Sequence, residues 1–263
     1  MPWTRRLIPR GLEIARLPVA GKIQRRSSTR RRPDRLLIPD NRSKKDGRVE
    51  RPCPAPRTLE ASAILLMNQG LFIVLEGIDG TGKSTQTRHL ADWFREQGRE
   101  VVTSREPTDG PWGSKLRATA ATGRLAAEEE LELLLRDRRD HVAQVIAPAL
   151  AAGKVVILDR YYFSTMAYQG SRGMDPAEIR RQNEAFAPVP DLLFVLDLDV
   201  DTALSRIGGR GDTANEFEKH ESLAKCREIF LTLVGEPFVH LVSTDPGPAA
   251  VQARLREIVA DHR

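Results

Sequence analysis

The residues whose types and spacing point most directly to chemistry form a glycine-rich stretch at positions 77–85, with the sequence GIDGTGKST. It meets in full the pattern G-x-x-x-x-G-K-[ST], in which successive backbone N–H groups surround the phosphates of a nucleotide. Its glycines let the backbone approach phosphate oxygens without a Cβ clash. We therefore predict that the whole stretch binds ATP, through Gly77, Ile78, Asp79, Gly80, Thr81, Gly82, Lys83, Ser84 and Thr85.

Two residues of this stretch carry side-chain chemistry. Lys83 is expected to pair with the β- and γ-phosphates, and Ser84 is expected to hold Mg²⁺. The apolar run at 71–75 predicts a buried parallel strand before the glycines, and a helical pattern at 86–97 follows them. This order of strand, turn and helix directs a helix N-terminus, with its partial positive charge, at the phosphates.

Charged residues also come at the ends of two further predicted strands. Asp159 and Arg160 close the aliphatic run that begins at 154, and Arg105 follows the run at 99–104. In an open α/β sheet, ligands bind at the carboxyl ends of the strands. We expect Asp159 to hold Mg²⁺ or its water shell and the two guanidinium groups to bind a phosphate; for Asp159 and Arg160, a buried structural ion pair is the alternative.

Asp79 is an unusual member of the glycine-rich stretch, because it puts a carboxylate beside phosphates. Its side chain could accept a hydrogen bond from a sugar hydroxyl of an acceptor molecule. It could also be no more than an acidic residue near the start of a helix, where a negative charge is favourable.

Strands and helices alternate from residue 71 onward, which predicts a parallel sheet covered by helices on both faces. The predicted strands are 71–75, 99–104, 154–159, 191–197 and 238–242. The predicted helices are 86–97, 127–152, 161–168, 176–186, 201–207, 216–234 and 248–259. Together they indicate one α/β domain over residues 67–263.

The first 66 residues differ from the rest of the chain in charge. They hold 17 Lys and Arg against 6 Asp and Glu, a net charge of +11, whereas the remainder holds 24 against 30, a net charge of −6. The segment is also rich in proline and poor in apolar residues, so we predict that residues 1–66 are disordered. It could be a tail that binds nucleic acid, an organelle transit peptide, or the product of a misassigned start. We favour the last, with Met67 as the natural first residue.

The composition restricts the class of protein. A chain of 263 residues with 40% hydrophobic content is sufficient for one sizeable core. The two cysteines, Cys53 and Cys226, lie far apart in the sequence, which argues against a disulfide scaffold and indicates a reducing, cytoplasmic location. No apolar run is as long as a membrane span and no secretion signal is recognisable, so we expect no association with a membrane.

Four groups of residues resemble the thymidylate (dTMP) kinase family. They are Phe72 and Glu76 with the glycine-rich stretch, Arg105-Glu106-Pro107, Asp159-Arg160-Tyr161, and the run from Ser164 to Gly170, and the resemblance extends from Met67 to the C-terminus. It implies an α/β P-loop kinase fold, in which a five-stranded parallel sheet is flanked by helices on both faces and a short lid bears arginine. It also implies transfer of the γ-phosphoryl of ATP to dTMP with Mg²⁺, which gives dTDP for dTTP biosynthesis.

The resemblance assigns roles to residues that would bind dTMP. Arg105 and Arg160 would hold the acceptor phosphate, and Asp79 would bind the 3′-hydroxyl. Asp159 would serve the magnesium site. Arg138 matches the family arginine that reads the thymine carbonyl.

The run from Ser164 to Gly170 supplies further residues of this binding site. The resemblance implies that Thr165 touches the base and that the ring of Tyr168 crowds the 2′ position and so selects deoxyribose. For Tyr168, ordinary core packing is the alternative. Gln169 belongs to the same motif and is predicted to bind the substrate with them. Leu134 stands where the family often has a phenylalanine that stacks on thymine.

The stretch from Arg206 to Asp212 resembles the lid of the family. Members supply a catalytic arginine either from the glycine-rich loop or from the lid, and here Gly80 occupies the loop position. The resemblance therefore implies that Arg206 or Arg210 neutralises charge on the transferred phosphoryl group, beside Lys83 and Arg160 as the other catalytic residues. A solvated flexible loop is the alternative for this stretch.

These observations predict an ATP:dTMP phosphotransferase. One alternative is a deoxynucleoside kinase or another nucleoside monophosphate kinase on the same scaffold, although Arg105 and Arg160 favour an acceptor that already bears a phosphate. Another is a non-catalytic P-loop protein that uses the basic leader to bind nucleic acid, an interaction that we do not expect. Family members are usually homodimers, and the predicted helix 127–152 holds enough apolar residues for such an interface.

Overall fold

A computed structural model describes residues 70–123, 125–208 and 216–262. The predicted leader, residues 1–66, and the predicted lid residue Arg210 lie outside the described residues. Within the described ranges, no helix is both long enough and apolar enough to cross a membrane.

Strands and helices alternate along the described chain. The strands are β1 (Leu71–Glu76), β2 (Val101–Arg105), β3 (Val155–Asp159), β4 (Leu192–Asp197) and β5 (Val239–Ser243). The helices are α1 (Lys83–Glu96), α2 (Pro111–Thr122), α3 (Ala127–His141), α4 (Ala147–Ala151), α5 (Tyr162–Gly170), α6 (Pro176–Glu184), α7 (Val200–Gly208), α8 (Glu216–Leu231) and α9 (Pro248–His262). A π-helical segment, Val142–Ile146, joins α3 to α4.

The strands form one five-stranded sheet in the order β2-β3-β1-β4-β5, and all neighbouring strands are parallel. Strand β1 lies in the centre, with Leu71 opposite Val155 of β3 and Ile73 opposite Leu192 of β4. A crevice forms in such sheets where the chain connections diverge to the two sides, at the carboxyl end of the central strand. The predicted fold class, a parallel sheet with helices on both faces, is confirmed.

Alternate residues of β1 pack into two separate cores. Phe72 and Val74 face the core that includes residues of α3, α5, α6 and α8, whereas Ile73 and Leu75 face the core that includes residues of α1 and α9. All four side chains are at most 1% exposed. A strand that is covered on both faces requires this continuous apolar run. The carboxyl end of β1, where the glycine-rich stretch begins, is therefore anchored from both sides.

Two helical features differ from the prediction. The sequence patterns do not predict helix α2, because the Gly110-Pro111 pair is typical of a turn; however, Pro111 occupies the first turn of the helix, where its missing N–H needs no partner. The predicted single helix 127–152 contains the π-helical segment, in which the N–H of Ala147 donates to the carbonyl of Val142. Pro148, which has no N–H to donate, follows directly, and a wider turn before it avoids the clash of its ring.

Candidate active site

The glycine-rich loop between β1 and α1 packs closely against neighbouring backbone. Gly77 has a φ of 136° and Gly80 a φ of 89°, which side chains rarely allow. A Cβ on Gly77 would lie 2.3 Å from the carbonyl oxygen of Leu196, and one on Gly80 would lie 2.7 Å from that of Ala203. A larger residue at position 80 would force the loop or the backbone of Ala203 to shift, so this loop conformation requires glycine there.

Lys83 begins helix α1 with its side chain almost fully buried, at 6% exposure. Its Nζ donates hydrogen bonds to the carbonyl oxygens of Gly77, at 3.0 Å, and Ile78, at 2.8 Å. Burial, together with the positive charge of Arg160, lowers the pKa of Lys83 from 10.5 to about 8. Carbonyl dipoles replace only part of the hydration of an ammonium group, so a phosphate at this position would supply the anionic partner that favours its charged form.

Asp159, the last residue of β3, faces the start of α1. Its Oδ2 accepts a hydrogen bond from the Ser84 hydroxyl, whereas its Oδ1 is buried and has no hydrogen-bond partner among the described residues. A buried carboxylate oxygen without a partner is unfavourable unless it meets a cation or water. One carboxylate and one hydroxyl form a donor set that Mg²⁺ uses together with phosphates and water. The two predicted magnesium ligands, Ser84 and Asp159, therefore lie together and fit the ion.

Arg160 lies between the loop and helix α5 with an unusual backbone conformation, a φ of 72°. Its Nη2 donates to Oδ1 of Asp79 at 2.5 Å and its Nη1 to the hydroxyl of Ser164 at 3.1 Å. The guanidinium lies 5.2 Å from the centre of the Tyr168 ring, and the Tyr168 hydroxyl donates to Oδ2 of Asp79 at 3.3 Å. Three residues predicted to bind the acceptor, Asp79, Arg160 and Tyr168, are thus in direct contact.

A buried carboxylate, Glu76, fixes the start of helix α5 next to Arg160. It ends β1, and its Oε1 accepts hydrogen bonds from the backbone N–H groups of Tyr161, at 2.7 Å, and Ser164, at 2.9 Å. Its Oε2 accepts from the Ser164 hydroxyl at 2.6 Å. Burial raises the pKa of Glu76 from 4.5 to about 7, although the hydrogen bond from Ser164 and the charge of Arg160 oppose the shift. The N-cap residue of α5, Tyr161, makes no side-chain cap hydrogen bond, so Glu76 caps this helix from β1.

A cleft of about 630 Å³ opens beside the loop and Asp159. Four arginines line it together with the loop: Arg105, Arg117, Arg160 and Arg206. Arg105 and Arg117 each contact Oδ1 of Asp109 at 3.0 Å, at an exposed position. Cationic side chains around a phosphate-binding loop favour a polyphosphate ligand. Arg105 therefore lies in the predicted crevice, but on its open side.

Arg206, one of the two predicted lid arginines, ends near the loop. It lies in the last turn of α7, with Nη1 3.5 Å from the carbonyl oxygen of Gly80 and Nη2 3.3 Å from that of Thr244. These contacts place its guanidinium against the backbone of the loop on the cleft side. Arg210 lies outside the described residues, so its position relative to the cleft stays a prediction.

A second cavity, of about 200 Å³, adjoins the cleft and is called the acceptor chamber here. It shares Asp79 and Arg160 with the cleft. Of the seven residues predicted to bind the acceptor, six line this chamber: Asp79, Arg138, Arg160, Thr165, Tyr168 and Gln169. The seventh, Arg105, lines the cleft. Leu134 supplies an aliphatic part of the wall. Gln169 donates to Oε1 of Glu130 at 3.0 Å and so also ties α5 to α3.

Arg138 is the central buried cation of the chamber, at 1% exposure. Its Nε donates to Oε2 of Glu106 at 2.7 Å, its Nη1 to Oδ1 of Asn183 at 2.6 Å, and its Nη2 to the Thr165 hydroxyl at 3.1 Å. The guanidinium also lies over the ring of Tyr161, 5.4 Å from its centre. A buried charge needs such compensation, and the planar group is fixed in one orientation by it.

Two carboxylates extend this network toward β2 and α2. Glu106 also contacts Nδ1 of His141 at 2.9 Å, and Nε2 of His141 lies 2.9 Å from the Ser104 hydroxyl. Asp137 accepts hydrogen bonds from the backbone N–H of Thr108, at 2.7 Å, and from the Thr108 hydroxyl, at 2.6 Å. The turn that carries Arg105 is therefore fastened to α3 at the position next to Arg138.

Sequence reasoning missed several residues of the site, among them Glu106, Arg117 and Asn183. Glu106 stands in a recognised motif, but its buried contact with Arg138 has no local signature. Arg117 lies on α2, which the patterns do not predict. Asn183 follows Ile179 by four residues on α6 and therefore shares its buried face, a signal that could have marked it as a polar residue with an internal partner.

The chain is similar in sequence and in structure to thymidylate kinases. The family model described as thymidylate kinase matches residues 75–255. A thymidylate kinase of Akkermansia muciniphila is 53% identical over 192 residues, which cover 73% of this chain and 92% of that protein. One of Xanthomonas campestris pv. campestris is 55% identical over 190 residues, covering 72% and 83%. The crystal structure of thymidylate kinase from Ehrlichia chaffeensis, 28% identical, covers 73% of this chain and 99% of that one with a TM-score of 0.59. This chain belongs to the thymidylate kinase family.

Proposed function

We propose that the cleft and the acceptor chamber are the two halves of one site for phosphoryl transfer. The chain phosphorylates dTMP to dTDP, with ATP as the donor and Mg²⁺ as the cofactor. The observation that carries our assignment of the site is the Asp79–Arg160 pair, because these two contacting residues line both cavities. An acceptor phosphate held by Arg160 would lie at the junction between the cleft that contains Lys83 and the chamber that contains Arg138.

The donor half would bind the phosphates of ATP through the backbone of residues 77–85 and through Lys83. Phosphate oxygens would replace the carbonyls of Gly77 and Ile78 as partners of its Nζ and restore its full charge. Ser84 and Asp159 would hold Mg²⁺, which would neutralise negative charge on the phosphates. Catalysis would then consist of positioning and charge neutralisation, without a covalent intermediate on the protein.

The acceptor half would bind the sugar and the phosphate of dTMP. Arg160 and Arg105 would bind the phosphate, and Asp79 would accept a hydrogen bond from the 3′-hydroxyl. The Tyr168 ring, which packs against Arg160, would exclude a 2′-hydroxyl. The capping of α5 by Glu76 supports these roles, since it holds Arg160 in a backbone conformation that ordinary residues avoid.

The base would be read by Arg138 and Thr165, with Gln169 in the chamber wall. A guanidinium N–H suits a carbonyl oxygen of thymine, and the buried setting excludes water that would weaken this contact. The methyl group of thymine would add about 1 kcal/mol or somewhat more of burial, so dTMP should be preferred to dUMP by about tenfold.

A lid arginine would neutralise charge on the transferred phosphoryl group. The contact of Arg206 with the loop carbonyl at Gly80 supports this proposal, as does the loop conformation, which a side chain at Gly80 would disturb. Arg210→Ala should lower kcat by about a hundredfold with little change in the KM for dTMP, and Arg206→Ala should act similarly or more mildly. If neither variant changes kcat by more than a few fold, the lid is not catalytic.

The experiment that tests this function is a coupled assay of ADP release with dTMP, dUMP, dCMP, UMP and thymidine as acceptors. We expect dTMP to give the highest kcat/KM. A higher value for thymidine would indicate a nucleoside kinase, and a higher value for UMP would contradict the selection of deoxyribose. Loss of ADP release in Lys83→Ala would exclude a contaminating kinase.

The chain is also proposed to form a homodimer and to act in the cytoplasm. The usual state of the family supports the dimer. The buried free thiol of Cys226 supports the location, because it suits a reducing compartment. The apolar side chains Leu131 and Leu135 of α3 are buried in the protomer's own core, so an interface on this helix would use its other side chains. Light scattering after size-exclusion chromatography should give about twice the chain mass of 29.4 kDa. A single-chain mass would contradict the dimer, and recovery of the native protein outside the cytoplasmic fraction would contradict the location.

A further inference from the structure

A fully buried asparagine on helix α6, Asn183, contacts the acceptor chamber only through another residue. Its Oδ1 accepts a hydrogen bond from Nη1 of Arg138 at 2.6 Å, across 45 positions of sequence. Its Nδ2 donates to the carbonyl oxygen of Ile179, one turn earlier, at 2.8 Å. The second bond fixes which end of the amide faces the guanidinium, because only the oxygen can accept from Arg138.

The hydrogen bonds of Arg138 leave little freedom to its guanidinium. The group has five N–H donors in one plane. Glu106 accepts from Nε and also lies 2.6 Å from Nη2, while Thr165 accepts from Nη2 at 3.1 Å. These bonds occupy the Nε and Nη2 side, and Asn183 takes one of the two N–H groups on Nη1. The other Nη1 N–H is therefore the donor that these partners leave for a ligand in the chamber that Arg138 lines.

We propose that Asn183 is a positioning residue for the choice of acceptor base. By accepting one Nη1 N–H of Arg138, it fixes the guanidinium plane at its Nη1 end, and with it the direction of the other Nη1 N–H, which meets the edge of the base. This inference rests on the proposed function, in which Arg138 reads the base. Glu106 and Thr165 hold only the Nε and Nη2 side of the guanidinium, so removal of the Asn183 oxygen leaves the plane free to tilt at its Nη1 end.

The orientation of Arg138 should determine how well the site distinguishes a base with a carbonyl group from a base with an amino group. Thymine carries an O4 acceptor where cytosine carries an N4 amino donor. A directed N–H of Arg138 favours the carbonyl and opposes the amino group, because two donors then face each other in a site that excludes water. A guanidinium whose plane can tilt discriminates less between the two bases. Asn183 therefore affects the preference for dTMP over dCMP more than it affects the rate of phosphoryl transfer.

The test compares kcat/KM for dTMP and dCMP in the full-length protein and in four variants. Asn183→Leu keeps the volume but removes the acceptor oxygen, Asn183→Ala removes it with a smaller side chain, and Asn183→Asp retains an oxygen in the same place. Tyr162→Phe is the matched control, since it removes a hydrogen bond between α5 and α6, from Tyr162 to Glu184, that does not involve Arg138. Thermal denaturation reports the stability of each.

We expect Asn183→Leu and Asn183→Ala to reduce the ratio of kcat/KM for dTMP over dCMP by about tenfold or more, mainly through a higher KM for dTMP. Asn183→Asp and Tyr162→Phe should keep the ratio within about threefold of the parent. If only one of the Leu and Ala variants folds, that variant decides the outcome. A merely structural role predicts lower stability with an unchanged ratio, and that result would overturn the proposal.

An Arg138→Ala variant separates this inference from the proposed function. If Arg138→Ala abolishes the preference for dTMP while Asn183→Leu and Asn183→Ala retain it, Arg138 reads the base without help from Asn183, and only the inference fails. If Arg138→Ala itself retains the preference, the proposed role of Arg138 fails, and the inference fails with it.

Discussion

The donor cleft and the acceptor chamber are built in different ways. The cleft is centred on a contiguous stretch, residues 77–85, in which backbone groups and the side chains of Lys83 and Ser84 carry the chemistry. The chamber is lined by side chains from several elements, and its central Arg138 is held by Glu106, Thr165 and Asn183 from three different parts of the chain. Phosphates are common to all nucleotides, whereas the base differs among them.

This difference predicts two kinds of effect. A change in the donor cleft should alter the rate with every acceptor by the same factor, because all acceptors receive the same phosphoryl group. A change in the chamber should alter the choice between acceptors, because it acts on groups that differ among them. The Asp79–Arg160 pair and Glu76 lie between the two regions and should affect both.

The largest expected effect is that of Lys83→Ala, which should lower kcat by about 10³-fold or more with dTMP and with dCMP alike. The variant loses the buried cation that pairs with phosphate, and it should fold because the partners of Lys83 Nζ among the described residues are two backbone carbonyls rather than a carboxylate. ADP release and thermal denaturation measure the two effects. Lys154→Ala, which removes a partly exposed pair with Glu100, serves as a control with normal turnover. Near-normal turnover in Lys83→Ala would exclude the phosphate-binding role of the loop.

A smaller effect is expected for the magnesium ligand Asp159. Asp159→Asn should raise the Mg²⁺ concentration for half-maximal rate by about ten- to a hundredfold, since an amide oxygen is a weaker ligand than a carboxylate. The preference for dTMP over dCMP should not change. A titration with Mg²⁺ at saturating ATP measures the shift, and Asp92→Asn, at an exposed pair with Arg95, is the control. An unchanged Mg²⁺ requirement would remove Asp159 from the metal site.

Glu76, which lies between the two regions, should make the stability of the protein depend on pH. Because burial raises its pKa from 4.5 to about 7, the native protein keeps a proton that the unfolded chain has lost in this range. The contribution of Glu76 to the free energy of unfolding is therefore fully present below about pH 4.5 and is lost as the pH rises through about 7.

The substitution Glu76→Gln removes this titration while it keeps the shape of the side chain. The stability of the variant relative to the parent should therefore improve as the pH rises from about 4.5 to about 7. Urea denaturation at several pH values measures the difference. A difference that does not depend on pH in this range would show that Glu76 does not titrate there.

The smallest effect is expected for the leader. A chain that begins at Met67 should keep its kcat, KM and melting temperature, because the donor loop, the acceptor chamber and both cores lie within residues 70–262. The same assays apply, with the full chain as the control. Reduced activity or stability after truncation would make the leader part of the functional enzyme and would contradict the favoured start.

The sequence predicts the donor cleft far better than the acceptor chamber. Lys83 and Ser84 can be identified from local spacing alone, because a phosphate-binding loop is made by consecutive residues. Arg138 can be identified only through a family resemblance. The helical spacing from Ile179 indicates that Asn183 is buried, but it does not identify the partner, because a hydrogen bond across 45 positions depends on how α6 packs.

The strands of the fold are predictable from the sequence, whereas two of its helical features are not. All five strands could be predicted from apolar runs, because a buried parallel strand needs one. Helix α2 could not, because Gly110-Pro111 is equally compatible with a turn and with a helix start. The π-helical segment before Pro148 depends on which carbonyl each N–H selects, and the amphipathic pattern does not encode that choice.

The central claim is that the two halves of the site act separately, and the most direct test is the ratio of kcat/KM for dTMP over dCMP in two variants. Ser84→Ala, in the donor cleft, should lower both values by the same factor and leave the ratio unchanged. Arg138→Lys keeps a charge but loses the planar fork, so the ratio should fall by about tenfold or more. The account is contradicted if Ser84→Ala changes the ratio as much as Arg138→Lys does, or if Arg138→Lys leaves it unchanged.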